Sequence, residues 1–337
     1  MNNFSVSFYP FYLVTDLLSV QAYVWKTMAV VVDRADLFVN QILKSFRPIR
    51  NTFIAIGVFY CAKTFVQVAY TGFRFLIRKK LPNYNWFPKH IWSKNYNKYG
   101  LVILNSDIVN QDRVLDLWNR ASFRVLVDGA ANSWYNIVKT RTDIINPVPD
   151  LVTGDFDSIE PSVKKYYEEQ IQCKVIATSD QNYTDFTKSL QQIPLNLNTS
   201  DIREIYAFVE YGGRLDHVMG LFETLFHASK ITNLPNVLLV SSHTTDWLLQ
   251  PGIHTIDLRD ERDKIVKCTD NDLSDPRYCG IIPIGQPCTN IKTSGLKWNL
   301  EKSQTLAFGK LVSTSNECCD ETITIEIETP VIWTMKN

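Results

Sequence analysis

The sequence lacks the features that would mark a nucleic-acid-binding, disulfide-stabilised or zinc-binding protein. Lys+Arg and Asp+Glu balance at 35 each, so no net positive charge favours a nucleic acid as partner. The seven cysteines are scattered, odd in number and without a Cys-x-x-Cys pair. That usage is typical of free thiols in a reducing compartment and disfavours zinc. Any binding of phosphate must therefore depend on a few side chains and backbone amides at one site, and not on the net charge of the chain.

The chain also lacks the fingerprints of the common nucleotide-binding loops. It contains neither a Walker A loop nor a Gly-x-Gly-x-x-Gly motif, and it has no internal repeat or low-complexity tract. Its N-terminal region does not have the pattern of a cleavable secretion signal. What is present is an ordinary globular composition, 45% hydrophobic and 21% charged over 337 residues. That length suits two domains plus an extension.

Residues 1–97 differ from the rest of the chain and are predicted to be an N-terminal extension. Within it, residues 52–77 carry only Lys63 and Arg74 as charges and are long enough to cross a bilayer, which takes about 20 residues. Because Lys63 lies near the middle, where a charge is costly in lipid, we expect membrane association more than a true span, with the C-terminal part of the chain in the cytoplasm. The alternative is an amphipathic helix that lies on a membrane or on the protein's own surface. Residues 82–99 are interpreted as a linker.

From residue 98 onwards, short apolar runs alternate with helix-like stretches. The predicted strands are residues 101–104, 123–127, 151–152, 174–177 and 204–209. This alternation predicts a parallel sheet with helices on both faces over residues 98–235. After residue 236 the helical pattern fades, and short strands, among them residues 306–312, predict an all-β sandwich over residues 236–337. The fold class is therefore α/β, a parallel-sheet nucleotide-binding domain followed by a β-sandwich domain.

Acidic residues, glycines and one arginine follow four consecutive predicted strands. In an open parallel sheet, ligands bind outside the carboxyl ends of the strands. These side chains are therefore expected to converge on one crevice: Asp128, Asp155, Asp157, Asp180, Asp185, Arg214 and Asp216.

The stretch Gly154-Asp155-Phe156-Asp157 is the centre of this pattern. If the backbone stays extended through Phe156, Asp155 and Asp157 point to the same side. Two carboxylates aimed at one spot repel each other unless a cation lies between them, and Mg²⁺ is the hard ion that binds such oxygens beside phosphates. The loops contain no neutralising lysine or arginine for these acids, which favours a metal site. The alternative is a solvated acidic turn.

A nucleotide would have to be held by turns of small residues. The amides of Gly129-Ala130-Ala131 and of Gly212-Gly213 can approach phosphate closely, and Arg214 is the nearby cation for phosphate oxygens. The alternative for Arg214 is a structural ion pair with Asp216. A carboxylate cluster with Mg²⁺ beside a nucleotide triphosphate is the arrangement that phosphoryl transfer uses.

Five motifs together resemble the thiamine pyrophosphokinase family. They are Asp128-Gly129-Ala130-Ala131-Asn132, Gly154-Asp155-Phe156-Asp157-Ser158, the stretch from Asp180 to Lys188 (DQNYTDFTK), Gly212-Gly213-Arg214-Leu215-Asp216-His217 and the stretch from Thr293 to Leu300 (TSGLKWNL). The resemblance covers about residues 98–337. It implies transfer of the pyrophosphoryl group of ATP to the thiamine hydroxyl, with thiamine diphosphate and AMP as products. It also implies a homodimer with thiamine bound between subunits.

The resemblance further implies roles for individual residues. Asp155, Asp157 and Asp185 are similar to the Mg²⁺ ligands, and Asp128 beside them completes the catalytic set. Asp128 and Asp185 are the candidates for accepting the proton of the hydroxyl. The implied ATP-binding residues are Gly129, Ala131, Asn132, Thr184, Gly213, Arg214 and Asp216, and the implied thiamine-binding residues are Gln181, Ser294 and Trp298. Trp298 would stack on the thiamine ring from the partner subunit.

Two other functions remain open from the sequence. One is a non-catalytic, membrane-tethered protein that binds thiamine or nucleotide. The other is a Mg²⁺-dependent kinase of a different alcohol, for which Gln181 and Trp298 are the discriminating residues.

Overall fold

The computed structural model describes residues 81–259 and 277–337. The apolar stretch 52–77, for which membrane association was predicted, lies outside the described residues. Within the two described ranges, none of the helices combines the length and the apolar character that a membrane span needs.

Strands and helices alternate through the first half of the described chain, as the sequence predicted. The helices are α1 (Gln111–Arg120), α2 (Ala130–Thr140), α3 (Pro161–Glu168), α4 (Asp185–Asn196) and α5 (Leu215–Ala228). The strands of this half are β1 (Asn83–Trp86), β2 (Tyr99–Ile103), β3 (Phe123–Val127), β4 (Leu151–Gly154), β5 (Lys174–Ala177), β6 (Glu204–Phe208) and β7 (Asn236–Val240). The remaining strands are β8 (Thr244–Leu249), β9 (Gly252–Asp257), β10 (Tyr278–Ile282), β11 (Lys292–Ser294), β12 (Ser313–Glu317), β13 (Thr322–Ile327) and β14 (Val331–Lys336).

Most of the strands form one ten-stranded sheet in the order β12-β10-β14-β8-β7-β6-β2-β3-β4-β5. The pairs from β7 to β5 are all parallel, and the pairs from β7 to β12 are antiparallel. The chain runs outward from β2 to β5 and then returns to place β6 on the other side of β2. The order of strands therefore reverses between β2 and β6, and such a switch point opens a crevice at the carboxyl ends of the strands.

The parallel half of the sheet is covered on both faces. Along β2, Leu101 and Ile103 pack with one core cluster, which includes Trp118 and Trp134 from α1 and α2. The intervening Val102 belongs to the opposite cluster, with residues of α4 and α5. Alternate residues of a strand face opposite sides, so a run that is apolar at every position is what a sheet buried on both faces requires.

The second half of the chain is rich in β-strands. A four-stranded sheet, β1-β9-β13-β11, shares a core with the antiparallel end of the large sheet, where Ile323 and Ile325 belong to the same cluster as Trp247 and Trp333. Strand β13 alternates buried and more exposed residues, as expected of a sheet with one face on the core. The predicted fold class is confirmed, but the two predicted domains share the ten-stranded sheet.

Two local predictions were wrong. Residues 82–99 are not a linker: β1 pairs in parallel with β9, and both Trp86 and Ile91 are buried. Their aromatic and apolar side chains enter the core instead of spacing two domains. Residues 306–312 form no strand, because the chain turns at Gly309 (φ +79°) and returns with an Ala307 N–H bond to the Leu311 carbonyl.

Candidate active site

Three acidic side chains meet at the carboxyl ends of the parallel strands. Asp128 follows β3, Asp155 follows β4, and Asp185 begins α4 after the β5 loop. One carboxylate oxygen from each lies within 4.8 Å of the others. The sequence-based expectation that distant acids converge at one edge of the sheet is thus met for these three residues.

Asp128 is the most enclosed member of the cluster. Its side chain is only 4% exposed, its backbone adopts a left-handed conformation (φ +48°), and its N–H donates to the Thr153 carbonyl at 2.7 Å. The buried Oδ1 atom accepts no hydrogen bond. Burial raises the pKa of Asp128; hydrogen bonding from the Ser158 side chain and the Gly129 backbone acts against this, and the charges of Asp185 and Asp157 act with it. An oxygen in this state needs a partner that the protein does not supply.

The turn after Asp155 differs from the geometry that was assumed for it. Phe156 has a φ of +65°, so the backbone is not extended through it, and the same-side argument for Asp155 and Asp157 was wrong. Asp157 is not among the three clustered acids; its Oδ1 accepts from the Ser158 hydroxyl at 2.7 Å, and its N–H donates to Asp155 Oδ1 at 3.3 Å. Asp157 lies next to the cluster and helps to shape the turn.

A lysine that sequence reasoning passed over lies beneath the acids. Lys188 is 3% exposed, and its Nζ lies 2.8 Å from Asp185 Oδ1 and 3.8 Å from Asp155 Oδ2. The sequence analysis considered only the loops for a neutralising cation, and the cation comes instead from helix α4. The spacing gives one signal for this contact, because Lys188 stands three residues after Asp185 on a helix, where the two side chains share a face. The spacing does not predict the burial of Lys188 or its contact with Asp155.

The cluster suits a divalent cation. Its donors are carboxylate oxygens, the ligands that Mg²⁺ prefers, and one of them, Asp128 Oδ1, is buried without a partner. Lys188 offsets one of the three negative charges. Two negative charges remain on the cluster, so the residues present fit a divalent cation.

The turn after Asp128 is built from close backbone contacts. A Cβ atom on Gly129 would lie 2.6 Å from the amide end of the Asn105 side chain, so a larger residue there would require Asn105 to move. Ala131 is buried at the start of α2, and its N–H donates to the Asp128 carbonyl at 3.0 Å. Asn132 joins this helix to the next loop, donating to the Ser158 carbonyl at 2.8 Å and accepting from the Glu160 N–H at 2.9 Å. Asn132 thus holds the Asp128 and Asp155 loops together.

Thr184 and the Gly213 loop flank the acids. Thr184 caps α4 by accepting from the Thr187 N–H at 3.2 Å, and it joins Thr187 and Thr224 in a cluster of hydroxyls. Gly213 has a φ of +73°, which favours glycine. Arg214 and Asp216 form an exposed ion pair at the start of α5, which is the structural alternative considered for Arg214.

The residues implied for thiamine fall in two places. Gln181 lies at the acids, where its Nε2 donates to Asp155 Oδ2 at 3.4 Å. Ser294 and Trp298 belong to the four-stranded sheet and the loop after it. The loop is held by Asn316, which accepts from the Trp298 N–H at 3.1 Å and donates to its carbonyl at 2.9 Å. The Trp298 ring itself is 56% exposed, with Lys297 Nζ 5.0 Å from its centre.

Models of one family match two consecutive parts of the chain. Residues 114–237 match the description "Thiamin pyrophosphokinase, catalytic domain". Residues 254–332 match "Thiamin pyrophosphokinase, vitamin B1 binding domain". The first match contains the three clustered acids, and the second contains Ser294 and Trp298.

Individual proteins that are similar to this chain are also thiamine pyrophosphokinases. Thiamine pyrophosphokinase 1 of Oryza sativa subsp. japonica is 33% identical over 246 residues, 70% of this chain and 86% of the rice protein. Thiamine pyrophosphokinase 3 of the same plant is 34% identical, again over 70% of this chain and 86% of its own length. Among solved structures, the thiamin pyrophosphokinase from Candida albicans superposes with a TM-score of 0.61 at 26% identity, covering 75% of this chain and 93% of the other.

Proposed function

Because the chain belongs to the thiamin pyrophosphokinase family, we propose that it catalyses transfer of the pyrophosphoryl group of ATP to the hydroxyl of thiamine. The products are thiamine diphosphate and AMP. The observation that carries this function is the cluster of Asp128, Asp155 and Asp185 at the carboxyl ends of the parallel strands, within the region that matches the catalytic domain.

ATP binds across the switch point between β2 and β6. The loop after β3 offers the backbone of Gly129 to phosphate, and Ala131 shapes this loop through its N–H bond to the Asp128 carbonyl. The loop after β6 offers Gly213 and Arg214. The exposure of the Arg214–Asp216 pair supports this role, because an exposed ion pair contributes little stability and the guanidinium can exchange its partner for a phosphate. Asn132 and Thr184 hold the loops on either side of the acids.

Mg²⁺ is the cation that the acid cluster would hold, through Asp155 and Asp185 with Asp128 beside them, and Asp157 adjoins the site. When bound, it would offset negative charge on the phosphates during transfer. The thiamine hydroxyl must lose its proton as its oxygen attacks the β-phosphorus of ATP. Asp128 is the better candidate acceptor, because Asp185 is already paired with Lys188 at 2.8 Å.

Thiamine is bound by Gln181 from the acid side and by Ser294 and Trp298 from the β-rich half. Gln181 already contacts Asp155, which supports a position near the reacting groups. An exposed indole suits stacking on a cationic heterocycle, and a homodimer would bring Trp298 of one subunit to the acids of the other. We further propose that the catalytic part of the chain lies in the cytoplasm and that residues 52–77 associate with a membrane.

The test is an analysis of nucleotide products. Purified protein is incubated with ATP, Mg²⁺ and thiamine, and the nucleotides are separated by chromatography. AMP that appears only when thiamine and Mg²⁺ are both present supports pyrophosphoryl transfer. ADP would indicate an ordinary kinase, and an unchanged ATP pool would indicate a binding protein without catalysis.

A further inference from the structure

A buried cation lies under the acid cluster, on the side of the protein interior. Lys188 Nζ contacts Asp185 Oδ1 at 2.8 Å and Asp155 Oδ2 at 3.8 Å, and it donates to the Thr178 carbonyl at 3.0 Å. Only 3% of Lys188 is exposed. One ammonium group thus joins three separate segments, namely the β4 loop, the end of β5 and the first turns of α4.

Burial of a lysine at this level needs compensation. Lysine is almost never fully buried unless it is paired, and an unpaired buried charge is strongly destabilising. Here the two carboxylates and the carbonyl supply that compensation. The ammonium in turn offsets the repulsion between Asp155 and Asp185, since one carboxylate oxygen of each lies within 4.8 Å of the other.

The contacts of the ammonium are unevenly distributed over the cluster. Asp155 and Asp185 both contact Lys188, whereas Asp128 Oδ1 is buried without a hydrogen-bond partner. The two acids that the lysine contacts therefore have a cation from the protein, and Asp128 does not. Three carboxylates and one ammonium leave the cluster with two net negative charges, the number that one divalent cation neutralises.

We infer that Lys188 is a resident counter-ion: a positioning residue that holds Asp155 and Asp185 together while the divalent cation is absent. This role rests on the proposed function in one respect, namely that a divalent cation binds at the cluster. It makes the folded arrangement of the acids independent of the metal. It also weakens the binding of the metal, because two cations then share the same carboxylates.

The substitution Lys188→Met separates these effects. It keeps the unbranched side chain as far as Cε and removes the charged ammonium, so the metal-free protein should melt at a lower temperature than the wild type. Added Mn²⁺ should then raise the melting temperature of the variant more than that of the wild type. Without the competing ammonium, the variant should bind Mn²⁺ roughly tenfold more tightly, as measured from the electron paramagnetic resonance signal of free Mn²⁺ in the absence of nucleotide.

Lys174→Met is the matched control. Lys174 Nζ also donates to a backbone carbonyl, that of Asn196 at 3.0 Å, but Lys174 forms no ion pair within the described part of the chain. This variant should keep the wild-type affinity for Mn²⁺ and the wild-type gain in melting temperature. Lys188→Gln serves if Lys188→Met does not fold, because it places a polar, uncharged amide near the Thr178 carbonyl.

The outcomes are distinct. A less stable Lys188 variant whose response to Mn²⁺ equals that of the wild type would reduce Lys188 to a packing residue and overturn the inference. Weaker binding of Mn²⁺, or no response in any variant, would overturn it as well. Formation of AMP by the wild type is measured on the same preparation: if AMP forms, these results leave the proposed function intact, and if it does not, a changed Mn²⁺ response still supports the counter-ion.

Discussion

A side chain at position 154 would collide with Asp128, since a Cβ atom on Gly154 would lie 2.8 Å from the Asp128 Cβ and 3.1 Å from its Cα. Gly154→Ala should therefore push Asp128 away from Asp155 and Asp185. A displacement of about 1 Å at an active site can cost roughly 10²-fold in rate, and we expect kcat to fall by about that factor. Steady-state kinetics with ATP and thiamine measure it.

Gly220→Ala is the control for this substitution. A Cβ atom at Gly220, within α5, would meet only Thr184 Cγ2 at 3.5 Å, which is ordinary contact. Alanine in a helix interior should stabilise the protein by roughly 0.5–1 kcal/mol, with near-normal activity. Equal losses of kcat in the two variants would contradict the role assigned to the contact between Gly154 and Asp128.

Asp155 and Asp157 should differ in their contribution to kcat, although they are only two residues apart. The left-handed turn at Phe156 leaves Asp155 in the cluster and Asp157 beside it. Asp155→Asn should lower kcat by at least about 10²-fold, as loss of one preorganised electrostatic group does, and Asp157→Asn should lower it less. Near-normal turnover of Asp155→Asn, measured by AMP formation, would remove this residue from the metal site.

His254 should make stability depend on pH. Its ring is fully buried, with Nδ1 accepting from Trp86 Nε1 at 3.0 Å and Nε2 lying 2.7 Å from the Gln250 carbonyl. Burial lowers the pKa of His254 from 6.5 to about 4. The unfolded chain therefore takes up a proton below pH 6.5 that the folded chain does not, so stability is lost as the pH falls from 6.5 towards 4.

The lowered pKa of His254 corresponds to a loss of about 3 kcal/mol in the free energy of unfolding at low pH. His254→Gln is the comparison, because the amide keeps one acceptor and one donor and does not titrate. Urea unfolding at pH 7 and pH 4.5 should show a smaller loss in the variant than in the wild type. Identical losses would mean that the proton uptake of His254 does not differ between the folded and unfolded chains.

Trp298 should contribute to the binding of thiamine and not to the binding of ATP. The ring is exposed on a loop that Asn316 holds, so Trp298→Ala should not disturb the core. Loss of stacking on a cationic ring should raise the KM for thiamine by about tenfold, while the KM for ATP stays near its normal value. Trp298→Phe should recover part of the affinity. An unchanged KM for thiamine in the alanine variant would exclude the stacking role.

The sequence predicted the parts of the molecule in which local pattern and tertiary structure agree. The apolar runs of β3 and β6 and the acids that follow the strands predicted a parallel sheet with a crevice at its carboxyl ends. The convergence of Asp128, Asp155 and Asp185 followed from that topology, because parallel strands bring their ends to one edge.

Tertiary context decided what the sequence did not predict. The backbone of Phe156 adopts a positive φ, which is rare for a bulky residue and has no signature in composition. Lys188 reaches the acids only because α4 directs that face inwards. Trp86 resembled a residue of an aromatic linker until β9 gave β1 a partner, and pairing between segments so far apart along the chain cannot be derived from either segment alone.

The most direct measurement of the central claim follows the β-phosphorus of ATP. The protein is incubated with Mg²⁺ and thiamine, and with ATP carrying one label on the α-phosphorus and another on the β-phosphorus. We predict that the α label is recovered in AMP and the β label in thiamine diphosphate, since attack occurs at the β-phosphorus. Recovery of both labels in ADP, with thiamine carrying a single unlabelled phosphate, would contradict pyrophosphoryl transfer.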